Sequence, residues 1–215
     1  NGDQIPELAV GRFCVDNATQ LRWQIEKTIA FEQTPGTWRR NLHFIAGVSG
    51  ISPLVDQAIE TAVKRLLTQY IPNDFQTTMT RANWRSSFCP DPRQITETTL
   101  TRLNEGGLFW VYMGHGHWNH LDWLQAPKDR YLILAKEDVV RANYQQAPAI
   151  AVFLSCYAGA MDAEESIVEE LVRAPRGPVA AIAASRVSMP YGISIFSTGL
   201  MDGYFRNRSP TLGAA

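Results

Sequence analysis

Two apolar runs closed by small residues constrain the fold of this chain more than any other feature. One is Gly107-Leu-Phe-Trp-Val-Tyr-Met-Gly-His-Gly116, the other Ala149-Ile-Ala-Val-Phe-Leu-Ser-Cys-Tyr-Ala-Gly159. Runs of this length, bounded by turn formers, read as strands buried on both faces of a parallel sheet. Each stops abruptly at one reactive side chain, His115 in the first and Cys156 in the second. A parallel sheet presents its chemistry at the carboxyl ends of its strands. The pattern therefore places an imidazole and a thiol at the same sheet edge.

The remaining segments alternate around these two. Glu7 to Phe13 alternates and reads as a short strand. Asp16-Asn17 offers an N-cap to a helix, with Leu21, Ile25, Ile29 and Phe31 at helical spacing before Pro35. Leu42 to Ala46 is a strand followed by Gly47 and Gly50, and His43 inside it reads as a hydrogen-bonded structural histidine. Ser52-Pro53 opens a helix running through Ala58, Ala62, Val63, Leu66 and Leu67. Asp56 lies in its first turn, where a carboxylate favours the helix dipole by about 0.3–1 kcal/mol. Thr77 to Thr80 is a polar strand suited to a sheet edge, and Asn83 to Arg93 a long connection. Helices are predicted over Thr96–Leu103, Ala135–Asn143 and Glu164–Val172, with a last one opening at Pro190. Gly114 to Trp123 is an aromatic, histidine-rich loop, and Pro178 to Ala184 a further buried strand. Such alternation predicts an α/β fold, a mostly parallel sheet with right-handed crossovers and helices on both faces.

A length of 215 residues suits one domain. Pro210 to Ala215 reads as a helix opening that stops, so a domain cut from a longer protein is expected. The formal net charge of -1 gives no general attraction for nucleic acid or anionic membrane. No apolar run reaches the roughly 18 residues of a membrane span. The three cysteines, Cys14, Cys89 and Cys156, are odd in number and widely spaced, so no disulfide framework is expected. Cys14 and Cys89 read as inert, buried small hydrophobes. No Cys-x-x-Cys pair suggests zinc, and no glycine-rich phosphate loop precedes a helix, so a nucleotide site fits poorly, while the strand-end glycines keep open a flavodoxin-like ligand-binding domain.

Acyl transfer by a thiol needs a nucleophile, an imidazole to move the proton, and backbone N–H donors for the oxyanion. Cys156, on the turn before Ala158-Gly159, is the candidate nucleophile. His115, between two glycines, is the candidate acid–base, with His117 and His120 as rivals. The Gly116 N–H, unshielded by a side chain, and the Cys156 N–H are the candidate oxyanion donors.

Tyr112-Met-Gly-His-Gly116 and Ser155-Cys-Tyr-Ala-Gly159 resemble the two signature blocks of the gingipain family of cysteine peptidases, grouped with clostripain, legumain and separase. Pro6 to Phe13 is similar to the family's entry strand, and Gly177 to Ser185 to the strand after the nucleophile. The resemblance implies a three-layer caspase-like sandwich over residues 1–215 as a single peptidase domain. It implies peptide-bond hydrolysis through an acyl-enzyme, with His115 and Cys156 as the catalytic pair and a protein or peptide as substrate. It also implies a basic substrate side chain received by Asp56, ten positions before Leu66. Met113 and Leu154 would be walls of that pocket and Tyr191 its cover. No cofactor is implied, although relatives often hold a structural calcium; this chain has no Asp-x-Asp-x-Asp loop for one. Relatives are commonly secreted or held at the bacterial surface. The sequence departs from the family after Gly47, where no glutamate supports the histidine. That departure keeps open a non-catalytic recognition or scaffold domain of a larger protein.

Overall fold

A computed structural model describes residues 8–48, 61, 64, 67–162 and 164–215. Its strands are β1 (Asn41–Ala46), β2 (Gln76–Arg81), β3 (Phe109–Met113), β4 (Trp123–Gln125), β5 (Arg130–Leu132), β6 (Ile150–Leu154) and β7 (Ala180–Ala183). Its α-helices are α1 (Ala18–Gln33), α2 (Ile95–Asn104), α3 (Ile167–Arg173) and α4 (Pro190–Phe205). Five strands form one parallel sheet in the order β2-β1-β3-β6-β7. Strands β4 and β5 form a separate antiparallel ribbon.

The apolar runs explain the centre of this sheet. Phe109, Trp110, Val111 and Tyr112 are wholly buried. Successive strand residues face opposite sides, so the sheet feeds two cores. Trp110, Tyr112 and Phe153 pack with Ile95, Leu100 and Leu103 of α2 and Ile167 and Leu171 of α3. Phe109, Val111, Val152 and Leu154 pack on the other side with Leu200 and Met201 of α4 and with Leu67 and Tyr70. Helices therefore cover both faces in three layers, as the alternation predicts. The polar β2 is an edge strand, where Thr77 and Arg81 tolerate solvent. The opposite edge is β7, and for that reason Ala180–Ala183 are half-buried rather than buried.

Two segments differ from expectation. Residues 8–15 carry no regular structure, and Leu8, Val10 and Phe13 are exposed. Their alternation is too short to hold a strand without a neighbour to pair with. The segment is tethered instead by Arg173, whose Nε donates to the Cys14 carbonyl at 3.1 Å and whose guanidinium pairs with Asp16 and Glu165. The helix expected over 135–143 is a 3₁₀ turn, Lys136–Arg141. Asp138 caps its start by accepting the Ala135 N–H at 3.0 Å, and Ala142 N–H closes it on Val139.

Helix α1 starts as expected, with the Asn17 side chain accepting the Gln20 N–H at 3.0 Å. Its apolar stripe points outward: Leu21, Ile25 and Ile29 are exposed while Gln24 and Lys27 are buried. Lys27 caps the end of α3 and its exit loop. Its ammonium donates to the carbonyls of Val172, of Ala174 at 2.8 Å and of Pro178 at 3.1 Å. The Val172 carbonyl is one that a helix end leaves without an intrahelical partner, and those of Ala174 and Pro178 belong to the exit loop. Burial pulls the Lys27 pKa down to about 7. Helix α3 begins on a capping box, in which Ser166 Oγ accepts the Glu169 N–H at 3.3 Å and Glu169 accepts the Ser166 N–H at 2.9 Å. No helix among the described residues is long and apolar enough to cross a membrane.

Candidate active site

Strands β3 and β6 run side by side with Met113 opposite Leu154. The Gly114 N–H continues the ladder by donating to the Leu154 carbonyl at 3.3 Å. His115 and Cys156 each lie two residues beyond the last paired residue of their strand. The contact between their loops is tight. A Cβ added at Gly116 would fall 2.6 Å from the Cys156 carbonyl oxygen and 2.6 Å from Ser155 Oγ. Only glycine lets the histidine loop rest on the cysteine turn.

The turn holding Cys156 is bent by Tyr157, whose φ of 56° is left-handed. An aromatic residue there is strained. Tyr157 N–H donates to the Arg186 carbonyl at 3.2 Å, and Gly159 N–H to the Ala184 carbonyl at 3.1 Å. These bonds lay the turn along residues 184–188. Arg186 in turn grips Asp162 through two bonds of 2.8 and 2.9 Å. Cys156 Sγ accepts the Ser188 N–H at 3.3 Å and lies 3.6 Å from the Ser188 carbonyl. The thiol is half-buried, and His115 is exposed on the loop opposite.

The rival histidines are engaged with each other's loop. Asn119 Oδ1 lies 2.7 Å from Nδ1 of both His117 and His120, and their rings are 5.0 Å apart. His43 is buried under the sheet between Thr78 Oγ1 at 2.8 Å and the Gly106 carbonyl at 3.0 Å. The carbonyl accepts, so Nε2 carries the hydrogen, and burial lowers the pKa. That is the structural histidine the sequence predicts. Burial pushes the Cys14 and Cys89 thiols up, which keeps both protonated and unreactive.

A cavity of about 300 Å³ adjoins the cysteine turn. Leu154, Ser155, Ile182, Ser188, Ile193 and Phe196 line it, between the end of β6 and the start of α4. Met113 lies next to Leu154 on the same sheet face, half-buried. Tyr191 is 79% exposed in the first turn of α4 and stands outside the lining. Asp56 lies outside the described residues. Among the described residues no group of three His, Cys, Asp or Glu side chains is arranged to hold a metal ion.

Three groups that the fold brings here are not singled out by sequence reasoning. Ser188 reaches the thiol from a loop 32 positions downstream. Ser155 Oγ is buried without a hydrogen-bond partner beside Gly116. Asp122 packs under the histidine loop with a buried, unpartnered Oδ2. An acidic residue inside an aromatic, histidine-rich loop was the one available signal for the last.

A sequence model of Peptidase family C25 matches residues 1–215. No curated protein matches the chain. Among solved structures, the chain is similar to the Arg-specific cysteine proteinase gingipain R (RgpB), with a TM-score of 0.70 at 19% identity over 98% of this chain. It is also similar to the complex of Porphyromonas gingivalis RgpB pro- and mature domains, with a TM-score of 0.67 at 19% identity over 93% of this chain. A third structure, described only as a protease, gives a TM-score of 0.69 at 19% identity over 93% of this chain. The matches cover 47%, 46% and 41% of those three chains, so this chain spans less than half the length of each. With the family matched from end to end and the fold shared, the chain belongs to Peptidase family C25.

Proposed function

We propose that this chain carries the catalytic centre of a cysteine endopeptidase, with Cys156 as nucleophile and His115 as acid–base. The observation that supports this most directly is the close approach of the Gly116 loop to the Cys156 carbonyl, at the carboxyl ends of the paired strands β3 and β6. In this reading the Cys156 thiolate attacks the scissile carbonyl of a protein or peptide. The N–H groups of Gly116 and Cys156 receive the oxyanion, and among the described residues neither is taken by a backbone carbonyl. Protonated His115 delivers its proton to the leaving amine, and a thioester remains on Cys156. His115 then takes a proton from the attacking water, and the thioester is hydrolysed. Thiol and imidazole supply all of this chemistry, so no cofactor enters the reaction.

For specificity we infer a basic side chain before the cleaved bond, by likeness to the Arg-specific relative. Asp56 would receive the charge, Met113 and Leu154 would flank the stem and Tyr191 would close over it. A second reading rests on the cavity itself. Leu154, Ile182, Ile193 and Phe196 give its described lining an apolar character that suits an aliphatic or aromatic side chain. Fluorogenic peptides carrying Arg, Lys, Leu or Phe before the reporter separate the two readings. The catalytic assignment predicts turnover of at least one peptide and its loss in Cys156→Ala and His115→Ala. Turnover undiminished in Cys156→Ala rejects the peptidase reading.

A further inference from the structure

His115 opens a tight antiparallel ribbon. His117 N–H donates to the His120 carbonyl at 2.9 Å, and Gly116 pairs with Leu121. One rung outward, the register places His115 across from Asp122, with the Tyr112 hydroxyl lying between their two backbones.

The rung is built around a third group. The buried Tyr112 hydroxyl accepts the Asp122 N–H at 3.2 Å and donates to the His115 carbonyl at 2.6 Å. Tyr112 comes from β3, so one phenol fixes both arms of the ribbon to the central sheet. Asp122 is also held from its far side, where its carbonyl accepts the Ile133 N–H at 2.9 Å. Its Oδ1 accepts the Trp123 N–H at 2.7 Å. Its Oδ2 is buried with no hydrogen-bond partner, 3.4 Å from the point where a Gly47 Cβ would stand. A side chain so thoroughly fixed, with one oxygen left over, is out of place in a purely structural role, because an unpaired buried carboxylate oxygen is costly.

Burial raises the Asp122 pKa; the hydrogen bond from the Trp123 N–H, and after it His115 and His120, act in the opposite direction. His120 is the weaker of the two partners. Burial and the neighbouring His117 lower its own pKa, against Asp122 and Glu137. Among the described residues, the titratable groups facing Asp122 are thus His115 on the first arm of the ribbon, His120 at its turn and the Tyr112 phenol from β3.

We infer that Asp122 is a positioning residue for His115, fixing the orientation of the imidazole toward Cys156 and balancing the charge it gains on protonation. This inference rests on the peptidase reading of Cys156 and His115. It supplies from the histidine ribbon the carboxylate that the sequence lacks after Gly47. A neutral isostere at 122 leaves packing intact and removes the charge. The loss then falls on the chemical step and not on substrate binding.

The experiment compares wild type, Asp122→Asn, Asp122→Glu and Cys156→Ala on the same fluorogenic peptide panel across pH, with circular dichroism on each. The expected result for Asp122→Asn is a kcat about 10- to 100-fold lower with KM within about twofold. Asp122→Glu, which keeps the charge, restores at least part of kcat. Wild-type kcat in Asp122→Asn, with Cys156→Ala inactive, overturns the inference and leaves the peptidase reading standing. An active Cys156→Ala overturns both. Should Asp122→Asn fail to fold, the smaller uncharged Asp122→Ser takes its place, with the same loss in kcat expected and wild-type kcat overturning the inference.

Discussion

Replacing Gly116 with alanine is the sharpest test of how the two halves of the site meet. The added Cβ falls 2.6 Å from the Cys156 carbonyl oxygen, 2.6 Å from Ser155 Oγ and 2.9 Å from Ser155 Cβ. Ordinary contact begins near 3.4 Å, so something must retreat by about 0.8 Å. The Ser155 hydroxyl can rotate away, but the Cys156 carbonyl belongs to the backbone of the nucleophile turn. The histidine loop and the cysteine turn therefore separate by most of that distance. A displacement near 1 Å between reacting groups costs on the order of 100-fold in rate, and overpacking costs about 1–3 kcal/mol of stability. For a domain of this size that is a fall in Tm of roughly 2–4 °C per kcal/mol. Gly116→Ala is accordingly expected to lose about 100-fold in kcat/KM on the peptide panel and several degrees in Tm. Gly199→Ala is the matched control. It lies within α4 with nothing within 4 Å of its added Cβ. There alanine should leave turnover unchanged and stabilise the fold by about 0.5–1 kcal/mol, as alanine does in a helix interior. A Gly116→Ala protein as active and as stable as wild type would refute the abutment of His115 loop and Cys156 turn.

Three further outcomes are expected. Lys27→Met removes the donor shared by the carbonyls of Val172, Ala174 and Pro178 and should lower stability to urea by about 1–3 kcal/mol; an unchanged midpoint would mean that water replaces the ammonium there. His43 has a folded pKa lowered by burial, so below its unfolded value of about 6.5 the unfolded chain binds the proton that the native state refuses. Its stabilising effect is therefore present above about pH 6.5 and is lost as pH falls through the folded pKa, so acid should lower the wild-type urea midpoint more than that of His43→Gln. Alkylation by iodoacetamide, mapped by mass spectrometry near pH 7, should label Cys14 and Cys89 more slowly than a free thiol, because burial raises both; rapid labelling of either would contradict their packing.

The parts of the molecule legible in its sequence are those governed by long-range burial. Strands β3 and β6 could be read because a sheet centre covered on both faces demands uninterrupted apolar residues, and Phe109–Met113 and Ile150–Leu154 supply them. His115 and Cys156 each follow their strand by two residues, so their place at the carboxyl ends of two neighbouring strands needed only the parallel pattern. Helix α1 was legible as a helix but not in its orientation. Lys27 and Gln24 are buried through their aliphatic stems because carbonyls at the end of α3 await them, and those belong to a segment 145 or more positions away. The stretch 8–13 alternates as a strand does, yet alternation cannot say whether a partner strand exists. The ribbon after His115 was opaque for a related reason. Its register is set by a turn at His117–His120 and by a phenol reaching in from β3, and neither leaves a periodic trace. Asp122 was thus visible as a letter and not as a neighbour of His115.

Tyr157 carries a consequence for how this site can change. Its left-handed backbone, φ 56°, aims the preceding thiol out of the sheet edge, and glycine or asparagine would adopt that shape at less cost. A substitution there would therefore gain stability, on the order of 1 kcal/mol, by relaxing the residue next to the nucleophile. The same relaxation frees Cys156 to leave the geometry held by Ser188. Thermostability and aim are set against each other at one residue, so stabilising this domain by sequence design is best directed to α4 and the surface of α1, and kept away from the turn at 157.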